Sequence, residues 1–350
     1  PKSSTRKSLE NVKFKNRGKM KSLKGRRIIF ILIIILVLSM VFSLGIGGGR
    51  FQISDLLSFL RPQSLSPSEK TIFFEIRLPR LILSVLVGAA LSLSGAVLQG
   101  LFQNPLVDPY VLGISSGGAV GAIVAILSGI SLGFITLPLF SFLFALATTF
   151  LVLRLGQIGH KMPLEIMLLA GVAIGFFFSA LISLGMFLAG ENLHQMVFWI
   201  MGGFWNSSWN KVITLLPLFI IGIPIVFSYS RELNAFLLGE KVAESMGVDV
   251  EKTKKILLLV TSLLVAGSVS VSGVIGFVGL VVPHIIRIII GEDHRQLLPA
   301  SLFLGSSVLL WADIFSRTLL HPVELPVGVL TSLMGAPFFI YLLRRKKKGW

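Results

Sequence analysis

The sequence predicts an all-α, polytopic integral membrane protein with about ten transmembrane helices. Of its 350 residues, 54% are hydrophobic and only 14% are charged, a balance far too apolar for a soluble globular protein. Apolar runs of about 20 residues, the length that an α-helix needs to cross a bilayer, recur from one end of the chain to the other. The charge is distributed as a membrane protein would distribute it.

That charge is concentrated in the two tails. The formal net charge is +16, but residues 1–27 hold eleven Lys/Arg and one Glu, and residues 344–348 hold five more basic residues, which leaves a net of +1 elsewhere. Basic tails of this kind report membrane orientation and contact with anionic lipid, so no nucleic-acid partner is expected. We predict a basic cytoplasmic N-terminal tail at 1–27, a ten-helix transmembrane domain at 28–345 and a basic C-terminal tail at 346–350.

The first span follows the basic N-terminal tail, as the apolar part of a signal peptide would. Its apolar run, Ile28–Ile46, is nineteen residues long and lacks a small-x-small cleavage site, so we expect an uncleaved helix. Glycines at 45 and 47–49 end it. The ten predicted spans are about 28–46, 80–101, 110–128, 131–154, 163–189, 211–229, 254–273, 277–290, 297–320 and 326–343.

An even number of spans places both tails on one side of the membrane. The loops on that side then carry more Lys and Arg than the loops on the other side, apart from the first outer connection. The positive-inside rule therefore predicts that both termini are cytoplasmic.

The longest polar passage between two membrane-grade segments is 231–255. Apolar residues interrupt its charged residues at roughly helical intervals, and Gly239 and Gly247 can end or turn short helices. In a solvated linker, apolar residues at those positions would stay exposed to water and would stabilise nothing. The pattern predicts two short amphipathic helices that dock into a soluble partner; the alternative is a structured loop that only joins two spans.

An internal repeat relates two distant parts of the chain. Residues 91–105 align without gaps on residues 269–283, with matching Ser, Gly and Pro positions. By the span count the two copies cross the membrane in opposite directions. The sequence therefore predicts an inverted repeat of helices 2–5 and 7–10, a plan that is common in transporters. Pro105 and Pro283 are expected to stop the repeated helices, with a hinge at each as the alternative.

The motifs of several enzyme classes are absent from the sequence. It contains no Cys, no G-x-x-x-x-G-K-[ST], no H-E-x-x-H and no G-x-S-x-G, and its five His form no pair at helical spacing. We expect neither an ATPase site nor a resident metal or cofactor. An ion-coupled carrier needs ionisable groups deep in the bilayer, and the candidates Glu165, Asp313, Arg287 and Arg317 are few. Because so few ionisable residues lie within the predicted spans, we expect the energy for transport to come from outside the membrane domain.

The sequence resembles the permease family of the binding-protein-dependent ABC importers for iron–siderophores, haem and cobalamin, from about residue 75 to 345. The resemblance rests on separated motifs in the family's order: RLPR at 77–80, SGAVLQGLFQNPLVDPYVLGISSGG at 94–118, LLAGVAIG at 168–175, GFVGLVVPHIIR at 276–287, DHRQLLP at 293–299, ADIFSR at 312–317 and ELPVGVLTSLMGAPFFIYLL at 324–343.

The resemblance implies a non-enzymatic transport subunit and a set of partners. These are a second copy of the chain in a homodimer, two copies of a cytoplasmic ATPase that binds the ATP, and a periplasmic or lipid-anchored substrate-binding protein. It also implies that 236–248 matches the family's coupling helices. Within that range the residues chosen for ATPase coupling are Gly239, Glu240, Ala243, Glu244 and Gly247.

Further residues are assigned by the same resemblance. Arg77, Arg80 and Arg317 match outer-face arginines that meet glutamates on the binding protein, and Arg is suited to pairing with carboxylates across an interface. Snorkelling to lipid phosphates is the alternative. Leu164 and Glu165 match the inner gate, although the family often has small polar residues there.

The resemblance therefore implies the transmembrane subunit of an ABC importer that moves a chelated metal across a prokaryotic inner membrane, with ferric siderophore, the commonest cargo of the family, as the favoured one. Haem, cobalamin and an oxyanion remain alternatives, because selectivity in such importers lies chiefly in the binding protein. An ion-coupled secondary transporter is the rival from another class.

Overall fold

The computed structural model describes residues 2–47, 50–51, 66–159 and 161–347. The extreme ends of both predicted tails, Pro1 and 348–350, lie outside the described residues, as does most of the first connection between spans.

Helices account for almost all of the described chain. In order they are α1 (Lys2–Gly45), α2 (Pro67–Thr71), α3 (Leu78–Leu101), α4 (Ile114–Ser128), α5 (Thr136–Gly156), α6 (Leu164–Phe187), α7 (Leu193–Met201), α8 (Trp209–Ser228), α9 (Ser230–Phe236), α10 (Glu240–Ser245), α11 (Val250–Ser272), α12 (Val278–Ile290), α13 (His294–Thr318) and α14 (Val327–Lys347). A π-helix, Ile72–Arg77, joins α2 to α3, and 3₁₀ turns form at Pro109–Leu112, Gly133–Ile135 and Gly190–Asn192. Two-residue strands, β1 (Ile46–Gly47) and β2 (Arg50–Phe51), pair antiparallel after α1.

The prediction of about ten membrane spans is confirmed. Among the described residues, seven helical stretches are long and apolar enough to cross a bilayer, and three shorter apolar helices accompany them. The long stretches are Leu23–Gly45, Pro67–Leu101, Gly133–Gly156, Leu164–Phe187, Trp209–Ser228, Val250–Ser272 and His294–Thr318; the shorter ones are Ile114–Ser128, Val278–Ile290 and Val327–Tyr341.

The first helix begins earlier in the chain than the predicted span. One continuous helix runs from Lys2 to Gly45, so the basic stretch 2–27 is a helical extension of the span in this structure. The apolar run that starts at Ile28 sets where the bilayer is expected to begin, but no helix breaker lies at that point of the sequence.

Helix lengths repeat between the two halves of the bundle. Helices α3 to α6 have 24, 15, 21 and 24 residues, and α11 to α14 have 23, 13, 25 and 21. The short second member of each set begins beside a left-handed residue, Gly113 with φ 74° and Phe277 with φ 68°. The helices thus follow a long–short–long–long order twice.

The gapless residue alignment of the repeat does not describe equivalent local structure. Helix α3 continues through Leu101, whereas α11 ends at Ser272 and α12 starts at Val278. The expectation that Pro283 stops a helix is wrong, because it lies inside α12. A proline removes one backbone donor, but membrane helices continue past it when neighbouring groups satisfy the freed carbonyl.

Helix α3 forms the centre of the bundle, where it contacts α11, α12 and α13. Small residues let the backbones approach: a Cβ atom on Gly95 would lie 1.8 Å from the carbonyl oxygen of Gly279 on α12, and one on Gly88 would lie 2.4 Å from that of Gly305 on α13. The hydroxyl of Ser92 donates to the carbonyl of Ser301 at 2.7 Å. Close packing therefore fixes α3 relative to the second repeat.

Two pairs of glycines at helical spacing, Gly117 with Gly121 and Gly171 with Gly175, have different surroundings. Gly117 and Gly121 of α4 face α5, where added Cβ atoms would meet Thr148 and the Phe140 carbonyl. Gly171 of α6 faces the Val111 carbonyl, whereas a Cβ on Gly175 would meet nothing within 4 Å. Helix α6 thus packs Gly171 against its neighbours and presents Gly175 away from the packed bundle.

Candidate functional site

The polar stretch 231–255 folds as the sequence predicts, into two short helices. Helix α9 ends at Phe236, and α10 starts at Glu240. The turn between them uses Gly239 at φ 103°, and Gly247 follows α10 at φ 86°, both conformations that L side chains rarely adopt. Phe236 and Ala243 are fully buried and anchor the pair to the bundle.

The side of this helix pair that faces away from the bundle is apolar. Leu238 and Met246 are each 62% exposed, and Val242 is also exposed, with Lys241 and Glu244 exposed beside them. We call these five residues the α9–α10 surface. Large apolar side chains rimmed by charge at the polar end of a membrane bundle are typical of a protein interaction site.

The α9 helix is tied to the bundle by polar contacts with α13. Asn234 accepts from the backbone N–H of His294 at 2.8 Å, lies 3.0 Å from its Nδ1, and donates to Asp293 at 2.7 Å. His294 is fully buried. The side-chain amide of Gln103 also donates to the Phe236 carbonyl at 2.7 Å. Helix α9 is therefore positioned by the ends of both α3 and α13.

A buried lysine lies beneath α10. Lys254 on α11 is 2% exposed, and its Nζ lies 2.7 Å from Glu240 Oε2 and 3.3 Å from Glu251 Oε1. The same ammonium is 3.4 Å from the Met162 carbonyl oxygen, and Glu251 accepts from the Met162 N–H at 3.0 Å. Three points of the chain thus meet at one cation.

The two residues predicted as a gate, Leu164 and Glu165, come directly after Met162 and Pro163 in the sequence. Leu164 opens α6, is half-buried and packs against the main apolar core, while Glu165 is exposed in the first turn. The chain reaches them through a tight turn in which Ile158 and Lys161 exchange backbone hydrogen bonds at 3.0 and 3.1 Å. The assignment of a gate stays a prediction.

The three arginines predicted to dock a binding protein lie together near the other end of α3. Arg80 is buried; its Nε donates to Asp313 Oδ1 at 2.9 Å, and its Nη1 lies 2.9 Å from Glu324. Arg317 Nε lies 3.2 Å from Asp313 Oδ2 and also donates to Ser43 and to the Ile46 carbonyl. We call Arg80, Asp313, Arg317 and Glu324 the Arg80 cluster.

Arg77 lies beside this cluster and donates to the Leu44 carbonyl at 3.2 Å. Arg80 and Arg317 therefore already have carboxylate partners within the chain, and Arg77 is half-buried. Docking by these arginines remains a prediction. Asp313, a candidate for ion coupling, lies between two guanidinium groups and is not an isolated carboxylate.

The α9–α10 surface and the Arg80 cluster occupy opposite ends of the bundle. Arg80 is near the start of α3, and Phe236 of α9 accepts a hydrogen bond from Gln103, just beyond the end of α3. The intervening 21 residues of α3 correspond to about 30 Å at the rise of an α-helix, close to the hydrocarbon thickness of a bilayer. The two sites therefore face different sides of the membrane.

Sequence reasoning missed three residues that organise these sites. Lys254 was counted only as a basic loop residue, yet it stands one helical turn before the buried Leu257 and Leu258, a position on the apolar stripe. Glu324 and Asn234 gave no such signal, since their partners are 244 and 60 residues away in sequence.

Comparison with known proteins gives consistent matches over nearly the whole chain. The model of the FecCD transport family matches residues 32–345. An uncharacterized ABC transporter permease protein of Bacillus subtilis, YvrB, is 46% identical over 287 residues, which is 81% of each chain. The cobalamin import system permease protein BtuC of Halobacterium salinarum is 43% identical over 78% of this chain and 73% of its own.

A solved structure supports the same fold. It is described as an inward-facing conformation of a metal-chelate type ABC transporter, and it matches with a TM-score of 0.82 and 36% identity over 91% of this chain and 99% of that chain. The extent of these matches exceeds what shared hydrophobicity alone produces. The chain therefore belongs to the FecCD transport family and is a permease subunit of the ABC importer type.

Proposed function

We propose that this chain forms the membrane pathway through which a metal chelate, with ferric siderophore as the first candidate, enters a prokaryotic cell. The observation that carries the proposal is the likeness to the metal-chelate type transporter, which extends over 99% of that chain. The energy comes from ATP hydrolysed by a partner subunit, and the chain itself performs no covalent chemistry.

The α9–α10 surface is the proposed binding site of the ATPase. Its exposed Leu238, Val242 and Met246 offer apolar area to a complementary groove, while Glu244 and Lys241 can fix the register of docking through charge. The buried Phe236 and Ala243 hold this surface against the bundle, so a displacement of the ATPase is transmitted to the membrane helices. The basic tails then lie on the cytoplasmic side.

The opposite end is the proposed docking site for a substrate-binding protein. Arg77 and the partly exposed Glu324 bring charge of both signs to that end, beside the buried Arg80–Asp313 pair. A carboxylate on the binding protein would compete with Glu324 for Arg80, or would pair with Arg77 directly. Charge complementarity of this kind favours rapid and specific docking.

A second copy of the chain is the proposed partner along α6. Only 17% of the most apolar stretch of this helix is buried within the chain. Its exposed apolar residues include Leu169, Phe176 and Phe187. Lipid alone could cover such a surface. A homodimer would enclose a pathway between the two copies, which a single bundle with a packed centre at α3 does not offer.

Cobalamin is a second candidate cargo. The observation that favours it is the 43% identity with the cobalamin import permease of Halobacterium salinarum. Both cargoes are bulky metal chelates, and the membrane subunit would need the same rocking motion for either.

Uptake by purified components tests the proposal. The chain is reconstituted in proteoliposomes with its ATPase and binding protein, and ferric siderophore, cobalamin or haem is supplied in labelled form. Uptake of the ferric siderophore that requires ATP and every subunit is expected. ATP-dependent uptake of cobalamin alone would replace the first candidate with the second. Uptake by the chain without its ATPase would favour an ion-coupled carrier.

A further inference from the structure

Lys254 is buried in a way that calls for a functional account. An ammonium group is costly to bury unless it is paired and hydrogen-bonded. Here Glu240, Glu251 and the Met162 carbonyl all lie within 3.4 Å of Nζ. A neutral or apolar residue at this position, between the buried Thr253 and the apolar stripe of α11, would avoid the cost of desolvation entirely.

The partners of Lys254 belong to three different parts of the molecule. Glu240 is the first residue of α10, Glu251 lies one turn away on α11, and Met162 lies in the connection between α5 and α6. Glu251 also accepts from the Met162 N–H at 3.0 Å, so both backbone polar groups of Met162 are held by the Lys254–Glu251 pair. The connection cannot shift relative to α11 without breaking these bonds.

We call the contacts that run from Glu240 through Lys254 and Glu251 to Met162 the Lys254 link. Its two ends, Glu240 and Met162, lie in different environments. Helix α10 carries Val242 and is followed by Met246, both on the exposed α9–α10 surface. On the other side, Met162 is buried, and only Pro163 separates it from Leu164, the first residue of α6. One ammonium therefore connects an exposed docking surface to the start of a membrane-spanning helix.

We propose that Lys254 is the positioning residue that transmits movement of α10 to the start of α6, and so couples the state of the ATPase to the opening of the pathway. This inference rests on the proposed function, in which the α9–α10 surface receives the ATPase. Glu240 carries the movement to Lys254, and the Lys254–Glu251 pair carries it to Met162 and Leu164. The ammonium suits this task, since it holds several oxygen atoms at once on a flexible stem.

The decisive variant is Glu240→Gln. Glu240 is 41% exposed at its side chain, so its neutralisation removes the ion pair to α10 but leaves Lys254 with Glu251 and Met162. Lys254→Met breaks the whole link and serves as the second variant. Arg295→Met is the matched control, because it removes an exposed basic residue near the start of α13 that lies outside the link.

Two measurements are made on the complete transporter with its ATPase and binding protein. The first is ATP-dependent uptake in proteoliposomes. The second is the rate at which a maleimide labels Leu164→Cys, with and without ATP; the chain has no other Cys, so the label reports one position. We expect Glu240→Gln to lower uptake by about tenfold, within the range of typical coupling between sites, and to abolish the ATP-dependent change in labelling.

Co-purification of the ATPase separates transmission from binding. We expect it to remain within about twofold of the unmodified chain in Glu240→Gln, because a transmission defect lowers coupling rather than affinity. Loss of co-purification would overturn the inference, and so would unchanged uptake with an unchanged labelling response. If the unmodified transporter itself shows no ATP-dependent uptake, the proposed function fails instead, which is a different result from failure of the link.

Discussion

Arg80 on α3 and Asp313 on α13 form a buried ion pair, with Nε and Nη2 of the arginine each 2.9 Å from Asp313 Oδ1. The residues are 233 positions apart in sequence. Arg317 reaches the second carboxylate oxygen from one turn further along α13. Asp313 is fully buried, so its charge depends on these two guanidinium groups for compensation.

Replacement of Asp313 by Ala is therefore expected to destabilise the bundle. Removal of one partner from a buried ion pair leaves the other charge uncompensated and typically costs about 3–5 kcal/mol. Among the described residues, Arg80 would keep Glu324 as its carboxylate partner, and Arg317 would keep neutral acceptors. The free energy of unfolding in detergent, obtained from denaturant titration, measures the effect.

Glu324→Gln provides the matched control for that experiment. Glu324 is 39% exposed at its side chain, and a solvent-screened pair contributes only about 0–1 kcal/mol. A loss of stability as large for Glu324→Gln as for Asp313→Ala would contradict the view that burial makes the Asp313 pair the essential one.

The same cluster explains why reversal of all three arginines is an uninformative test of docking. Glutamate at 80 or 317 would face Asp313 inside the bundle and would disturb folding before any partner arrived. Arg77 is half-buried and donates to the Leu44 carbonyl, so Arg77→Glu changes the charge at that end and leaves the pairs of Asp313 with Arg80 and Arg317 in place.

Arg77→Glu is expected to weaken the binding of the substrate-binding protein, most strongly at low ionic strength where surface charges are least screened. The affinity is measured by surface plasmon resonance at two salt concentrations. Lys70→Glu, at an exposed position on α2, makes the same charge change as a control. Equal weakening by both variants would point to a general charge effect, and unchanged affinity in Arg77→Glu would favour the interaction of Arg77 with lipid.

Sequence reasoning recovered the order of the membrane helices and the two short helices at 231–255, because both depend on local periodicity and on glycine positions. It could not recover the ion pairs of Arg80 with Asp313 and Glu324, because these join residues more than two hundred positions apart, and it assigned Arg80 and Arg317 to an external partner. Lys254 was overlooked because a lysine near a helix end is ordinarily solvated. The gapless repeat failed locally for a related reason, since Gly273 is followed by a break where Gly95 continues a helix.

The α9–α10 surface allows a direct test of ATPase binding. The double variant Glu244→Lys with Gly247→Trp is expected to abolish co-purification of the ATPase while the membrane fold remains, because both positions are exposed and an added Cβ at Gly247 meets nothing within 4 Å. Tryptophan at φ 86° is strained, but the strain is confined to the turn after α10.

A milder variant controls for that strain. Met246→Glu places a charge on the apolar part of the surface without altering the backbone, and Leu132→Glu makes a similar change at an exposed position between α4 and α5. We expect Met246→Glu to reduce co-purification and Leu132→Glu to leave it intact. Retention of the ATPase by both the double variant and Met246→Glu would remove the α9–α10 surface as its binding site.

The glycines of α3 and α6 give a final test, which separates close packing from mere helix composition. A Cβ on Gly95 would lie 1.8 Å from the Gly279 carbonyl oxygen, so backbone must shift, whereas a Cβ on Gly175 meets nothing within 4 Å. We expect Gly95→Ala to lower the free energy of unfolding by about 1–3 kcal/mol through overpacking. We expect Gly175→Ala to leave the stability of the isolated bundle unchanged. Denaturant unfolding of the two variants in detergent measures the difference. If Gly175→Ala impaired uptake in the assembled transporter while the bundle stayed stable, the open side of Gly175 would face another subunit rather than lipid.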